Sequence, residues 1–124
     1  MAKKSTLLKR KFKEKDPSQW GRRSDPLESA IENDNSEFAT RLGVLSRKYK
    51  APGRTSVPDR IYFFDNNIVV FVEYKRFGKK PTPKQQAEIN KMLAKGCYVY
   101  VIDNIKAGRL LIQRFALYAA SLNV

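Results

Sequence analysis

The chain has no histidine and a single cysteine. Catalysis by a histidine base is thereby excluded, and a structural zinc site lacks the imidazoles and thiolates that would build it. Cys97 alone cannot form an internal disulfide and suits a reducing compartment; within "GCYVYVI" it reads as a small buried strand residue. Any metal chemistry must rely on oxygen ligands, which favour Mg²⁺ or Mn²⁺. Long apolar runs are missing as well. None approaches the roughly 20 residues of a membrane span, and the basic N-terminus lacks the apolar stretch of a secretory signal, so no secretory signal is expected. Acidic residues are scarce: 12 Asp and Glu face 25 Lys and Arg, a net charge of +13. Residues 1–23 hold nine of those cations against two acids. A polyanionic partner follows from this excess, nucleic acid before membrane, since no amphipathic lipid-binding stretch stands out.

At 124 residues the chain is expected to form one domain around a single core. Residues 1–23 have few core-forming side chains and read as a basic, flexible arm, leaving 24–124 as the folded domain. A helix is expected in "SDPLESAIENDNSEFATRLG", with Asp25 as its cap, Pro26 in its first turn and Gly43 beyond its end. Leu27, Ile31, Phe38 and Leu42 mark its core face. "VLSRKYK", "RIYFF", "IVVFVEYK" and "CYVYVID" read as strands, and "DNN" as a hairpin turn. A second helix is expected from about Thr82 to Gly96, and a third from Ile105 towards Ala120. The predicted fold is α/β in the order α-β-β-β-α-β-α, a central mixed sheet flanked by helices.

The most apolar strand ends by placing Glu73 and Lys75 two residues apart, hence on one face. If Asp65-Asn66-Asn67 is a three-residue loop, Phe64 pairs with Ile68 and Asp59 falls opposite Glu73. A two-residue turn would shift that register by one. Opposed carboxylates repel unless something neutralises them, and a hard divalent cation does so. Lys75 beside them would keep its proton and support a water or a developing charge, which is the equipment of phosphodiester hydrolysis. Spacing alone leaves a second reading open, an ordinary salt bridge from Lys75 to Asp59 or Glu73.

"PDRIYFFDNNIVVFVEYK" resembles the PD-(D/E)xK nuclease signature, with Pro58-Asp59 and Glu73-Tyr74-Lys75 as its halves. More narrowly, "LESAIENDNSEFATRLG", "PDRI", "FVEYKRFGKKPTPKQQAEINKMLAKG" and "YVYVID" resemble the VRR-NUC family, the virus-type replication and repair nucleases. The likeness spans roughly residues 26–104. One departure is Ser56, where the family tends to have glycine; it removes no chemical group. The resemblance implies a restriction-endonuclease-like fold and Mg²⁺-dependent cleavage of DNA, with Mn²⁺ as substitute. It implies Asp59, Glu73 and the Tyr74 carbonyl as metal ligands with help from Glu28, Lys75 as the catalytic lysine, and Gln85 as a further polar site residue. It also suggests a bacterial or phage-infected cytoplasm and work in replication, repair or recombination.

Two of these residues have plainer readings. Glu28 and Gln85 each stand three positions after a capping residue, Asp25 and Thr82, which is capping-box spacing. Among the cations, Lys48, Lys50, Arg54, Arg60, Arg76, Lys79 and Lys80 are expected near the site and available to phosphates. Trp20 and Tyr49 are read as packing residues before base-stacking ones. A homodimer presenting two sites is expected to cover duplex better than so small a chain alone. The rival function is a non-catalytic basic DNA-binding protein on the same fold, or a basic assembly protein with ordinary ion pairs.

Overall fold

A computed structural model of the chain describes residues 26–122. The expected arm, Trp20 and the Asp25 cap lie outside the described residues. Seven elements follow in the anticipated order: α1 (Glu28–Arg41), β1 (Leu45–Lys48), β2 (Arg60–Phe63), β3 (Val69–Tyr74), α2 (Pro83–Ala94), β4 (Tyr98–Ile102) and α3 (Ile105–Ser121). The sheet runs β1-β2-β3-β4. Its first two pairings are antiparallel, and β3 pairs β4 in parallel through the crossover helix α2.

Helix ends follow local chemistry. Thr82 and Gln85 form a reciprocal capping box at α2, and the Asn104 side chain accepts from Ala107 N at the start of α3. Both α1 and α2 close in Schellman motifs: Val44 N donates to Ala39 O beyond Gly43, and Cys97 N to Met92 O beyond Gly96. Those glycines take φ of +78° and +85°, which side chains with a Cβ rarely adopt.

α1 differs from expectation at its start and in its core face, while Gly43 closes it as expected. It begins at Glu28, with Leu27 as an extended N-cap that makes no side-chain capping bond. Leu27 and Leu42 stay exposed because both sit outside the regular turns, where the helical stripe no longer carries them inward. The buried stripe is Ile31, Asn35 and Ala39, spaced by four. Cys97 precedes β4 and is only half-buried, because the strand starts one residue later.

The core lies between the sheet and the pair α1/α3, with Ile31, Val70, Val72, Tyr74, Ile102 and Ile112 at its centre. By alternation, the residues of β3 between these, Phe71 and Glu73, face the other way. α2 packs along β4 and buries Ile89.

The core is not purely apolar. Tyr74 Oη donates to Asn35 Oδ1 at 3.0 Å, Tyr62 and Tyr74 hydroxyls meet at 2.7 Å, and Asn35 Nδ2 donates to Ile105 O at 3.2 Å. The chain continues outward through Ser36 and Ser46 to Arg60, which pairs with Glu32. Each buried polar atom that finds a partner avoids a desolvation cost of about 1–3 kcal/mol. Gly108 makes this packing possible: a Cβ there would lie 1.6 Å from Asn35 Oδ1.

Candidate active site

Asn66 and Asn67 adopt left-handed φ of 60° and 65°, and Phe64 N donates to Ile68 O at 2.8 Å. Asp65-Asn66-Asn67 is therefore the three-residue loop. The β2–β3 register runs from Phe63↔Val69 to Arg60↔Val72, so the next pair outward is Asp59 opposite Glu73. Tyr49 N donates to Asp59 O at 3.0 Å, carrying the β1–β2 ladder one step further, and the fully buried Pro58 fixes the chain just before it. Asp59 Oδ2 accepts from Tyr74 N at 2.7 Å. The carboxylate is thus anchored to the backbone beside Glu73.

Glu73 is 1% exposed, and its Oε2 has no hydrogen-bond partner. Its pKa is pushed up to about 9, first by burial, then by the hydrogen bond and negative charge of Asp59, with Glu28 adding in the same sense. Lys75 opposes the shift through its charge. Two carboxyl groups with one orphaned buried oxygen hold a proton where a cation would satisfy both. The donor set fits a hard divalent ion.

Among the described residues no ion pair joins Lys75 to Asp59 or Glu73, whereas Arg54–Glu88, Arg60–Glu32 and Arg109–Asp34 do pair. The open salt-bridge reading therefore has no support here. Lys75 N donates to Ile102 O at 2.9 Å, extending the parallel ladder and holding the residue at the end of β4.

Comparison with solved structures finds a "VRR_NUC domain" that superposes with a TM-score of 0.65 at 30% identity, covering 69% of this chain and 94% of the other. Among curated proteins, "Putative nuclease p44" of Acyrthosiphon pisum secondary endosymbiont phage 1 is 38% identical over 77 residues, 62% of this chain and 83% of that protein. The chain belongs to the VRR-NUC family. No family model matches it.

The remaining site candidates of this VRR-NUC chain divide in two. Glu28 stands exposed on the first turn of α1, and among the described residues no third carboxylate, histidine or cysteine joins Asp59 and Glu73 in a ready-made metal cluster. Glu28 reaches the pair through its field alone. Gln85 gives its side-chain oxygen to Thr82 N at 2.9 Å, so the capping box is real and only its amide nitrogen remains for another role. Gln85 is half-buried, one helical turn before the buried Ile89.

The basic residues also separate. Lys48, Lys50, Lys79 and Lys80 are exposed, and Arg54 is 60% exposed although it touches Glu88 at 3.4 Å. Arg60 stands apart from these: its side chain is 13% exposed, and its guanidinium is bonded to Glu32 and Ser46, which ties it to the fold. Arg76 is half-buried in the turn after Lys75. Tyr49 packs against Phe71 with ring centroids 5.6 Å apart.

Two supporting residues escaped sequence reasoning. Asp103 Oδ2 accepts from Gly78 N at 3.0 Å, fixing the turn that follows Lys75. Asn35 holds the Tyr74 hydroxyl on the reverse side of β3. For Asp103 the available signal was a carboxylate at the end of β4 beside the site strand; for Asn35 there was only its helical spacing from Ile31.

Proposed function

We propose that this VRR-NUC chain is a metal-dependent nuclease that hydrolyses phosphodiester bonds in DNA, selecting substrates by structure. The observation that carries this reading is the Asp59–Glu73 pair, whose Glu73 is buried with an orphaned oxygen, next to Lys75, whose charge acts on Glu73 without an ion pair to either carboxylate among the described residues. A pure DNA-binding surface gains nothing from carboxylates facing phosphates.

Asp59, Glu73 and the Tyr74 carbonyl would hold Mg²⁺, or Mn²⁺ in its place, with Glu28 supplying further negative field from α1. The bound ion supplies a Lewis acid for the phosphoryl oxygen and lowers the pKa of water. Asp59 keeps its carboxylate oriented through Tyr74 N. Lys75 would orient the attacking water and balance the charge that grows on the phosphoryl oxygens. Lys48, Lys79 and Lys80 offer exposed cations to the flanking phosphates. No described helix is long and apolar enough to cross a membrane, and we place the activity in the cytoplasm of a bacterium or phage-infected cell, in replication, repair or recombination. A homodimer would present two such sites to one duplex.

The test is incubation of purified protein with labelled branched and linear DNAs, with Mg²⁺, with Mn²⁺ and with chelator. Cleavage is expected only with metal, and Lys75→Ala should abolish it while DNA binding survives. A well-folded wild type that binds but cuts no substrate would leave the chain a DNA-binding protein.

A further inference from the structure

Beside the carboxylate pair, the segment from Tyr49 to Asp59 folds back on itself. Arg54 N donates to Ala51 O at 3.0 Å, Gly53 supplies the positive φ of +75° that the turn needs, and the Tyr49–Asp59 bond closes the base. The cleft this creates has a volume of about 500 Å³. Its walls are of two kinds. Ala51, Pro52 and Val57 offer apolar surface, whereas Lys50 and Arg54 offer two cations. Asp59 belongs to its lining too, so cleft and carboxylate pair share a residue. Arg54 reaches Glu88 on α2, which spans the loop and the crossover helix while leaving the guanidinium largely in solvent.

We propose that this cleft is a nucleotide subsite: it takes one unstacked nucleotide adjoining the scissile phosphate, the base on the apolar wall and its phosphate between Lys50 and Arg54. The proposal rests on the nuclease reading for its place in the reaction, but the binding itself does not. The volume falls within the roughly 300–1,000 Å³ of pockets that enclose one small molecule. A stacked base pair does not enter such a space; a single base drawn from the stack does, and enzymes that act on extruded nucleotides use pockets of this kind. Pairing an apolar wall with cations matches the two halves of a nucleotide, a flat base and a phosphate. A patch that only held phosphate would have no use for Pro52 and Val57. With Asp59 at one side, the phosphate next to a seated nucleotide meets the carboxylate pair.

The test uses the whole chain and a deoxynucleoside 5′-monophosphate, with inorganic phosphate as the control, followed by amide chemical shifts. Saturable shifts at Ala51, Thr55 and Val57 are expected with the nucleotide and not with phosphate, and they should vanish in Val57→Trp. That variant should also cut DNA with kcat/KM lowered at least tenfold while its requirement for metal persists. Thr55→Trp, at an exposed position of the same cleft, fills it should Val57→Trp disturb folding. Nucleotide binding by a wild type that cuts nothing would sustain the subsite and remove the nuclease reading. Identical shifts with phosphate alone, or no shifts at all, together with wild-type cleavage by both blocked variants, would overturn the subsite and leave the nuclease intact.

Discussion

Asp59 and Glu73 stand opposite each other at the end of the β2–β3 ladder, and Asp59 is tied by a 2.7 Å bond to Tyr74 N. Orientation and charge are therefore separable at this position. Asp59→Asn keeps a carbonyl oxygen for Tyr74 N but removes the charge. Cleavage should fall at least about 100-fold, the scale of losing one preorganised electrostatic group, while the Tm stays close to wild type. Asp59→Ala should lose both cleavage and some stability, measured by thermal melting. Undiminished cleavage by either variant would sink the assignment.

Glu73 gives a pH dependence. Its folded pKa of about 9 lies above its ordinary value near 4.5, so the folded state binds the extra proton between those pH values. In chelator, the stabilisation present below pH 4.5 should be lost as pH rises towards 9, and stability should fall across that window. Glu73→Gln should flatten the slope. Saturating Mg²⁺ or Mn²⁺ should flatten it as well, because the ion replaces the proton. Denaturant midpoints measured from pH 5 to pH 9 decide this.

Gly108→Ala tests the polar core. The added methyl would overlap Asn35 Oδ1, so either the Asn35–Tyr74 bond or the α1–α3 approach must give. A loss of about 1–3 kcal/mol is expected from overpacking, read by urea unfolding. Tyr74→Phe, which removes the hydroxyl between Asn35 and Tyr62, should cost a similar amount.

Arg60 and Lys79 should behave oppositely. Arg60→Ala strands Glu32 and should destabilise the fold by about 1.5–3 kcal/mol, with the salt dependence of DNA binding unchanged. Lys79→Ala should leave stability alone and reduce the slope of log K against log salt by about 1 if it meets one phosphate.

Much of this arrangement was legible in the sequence. The order of elements followed from periodicity and punctuation, and the Asp59–Glu73 register from the "DNN" loop, whose asparagines tolerate left-handed φ. Parity then put Glu73 and Lys75 together. What stayed hidden depends on distant partners. Asn35 looks polar in any local window, and only Tyr74 and Ile105, far along the chain, make it a core residue. Arg60 looks like a phosphate ligand until Glu32 arrives from α1 to occupy it. Leu27 and Leu42 fit the helical period, yet the helix ended before it could bury them.

The Asp65–Asn67 loop lies at the opposite end of the hairpin from the carboxylates, and it touches neither of them. Even so, it sets which residue of β2 meets Glu73. A change in this turn that closed it on a pair other than Phe64 and Ile68 would slide Asp59 out of its pairing while leaving every acidic and basic side chain present in the sequence. A gene carrying that change would still display the intact Pro-Asp and Glu-Tyr-Lys halves, yet encode a chain whose two carboxylates no longer stand opposite each other. Length conservation in this turn is accordingly as informative a marker of activity among relatives as the identity of the carboxylates.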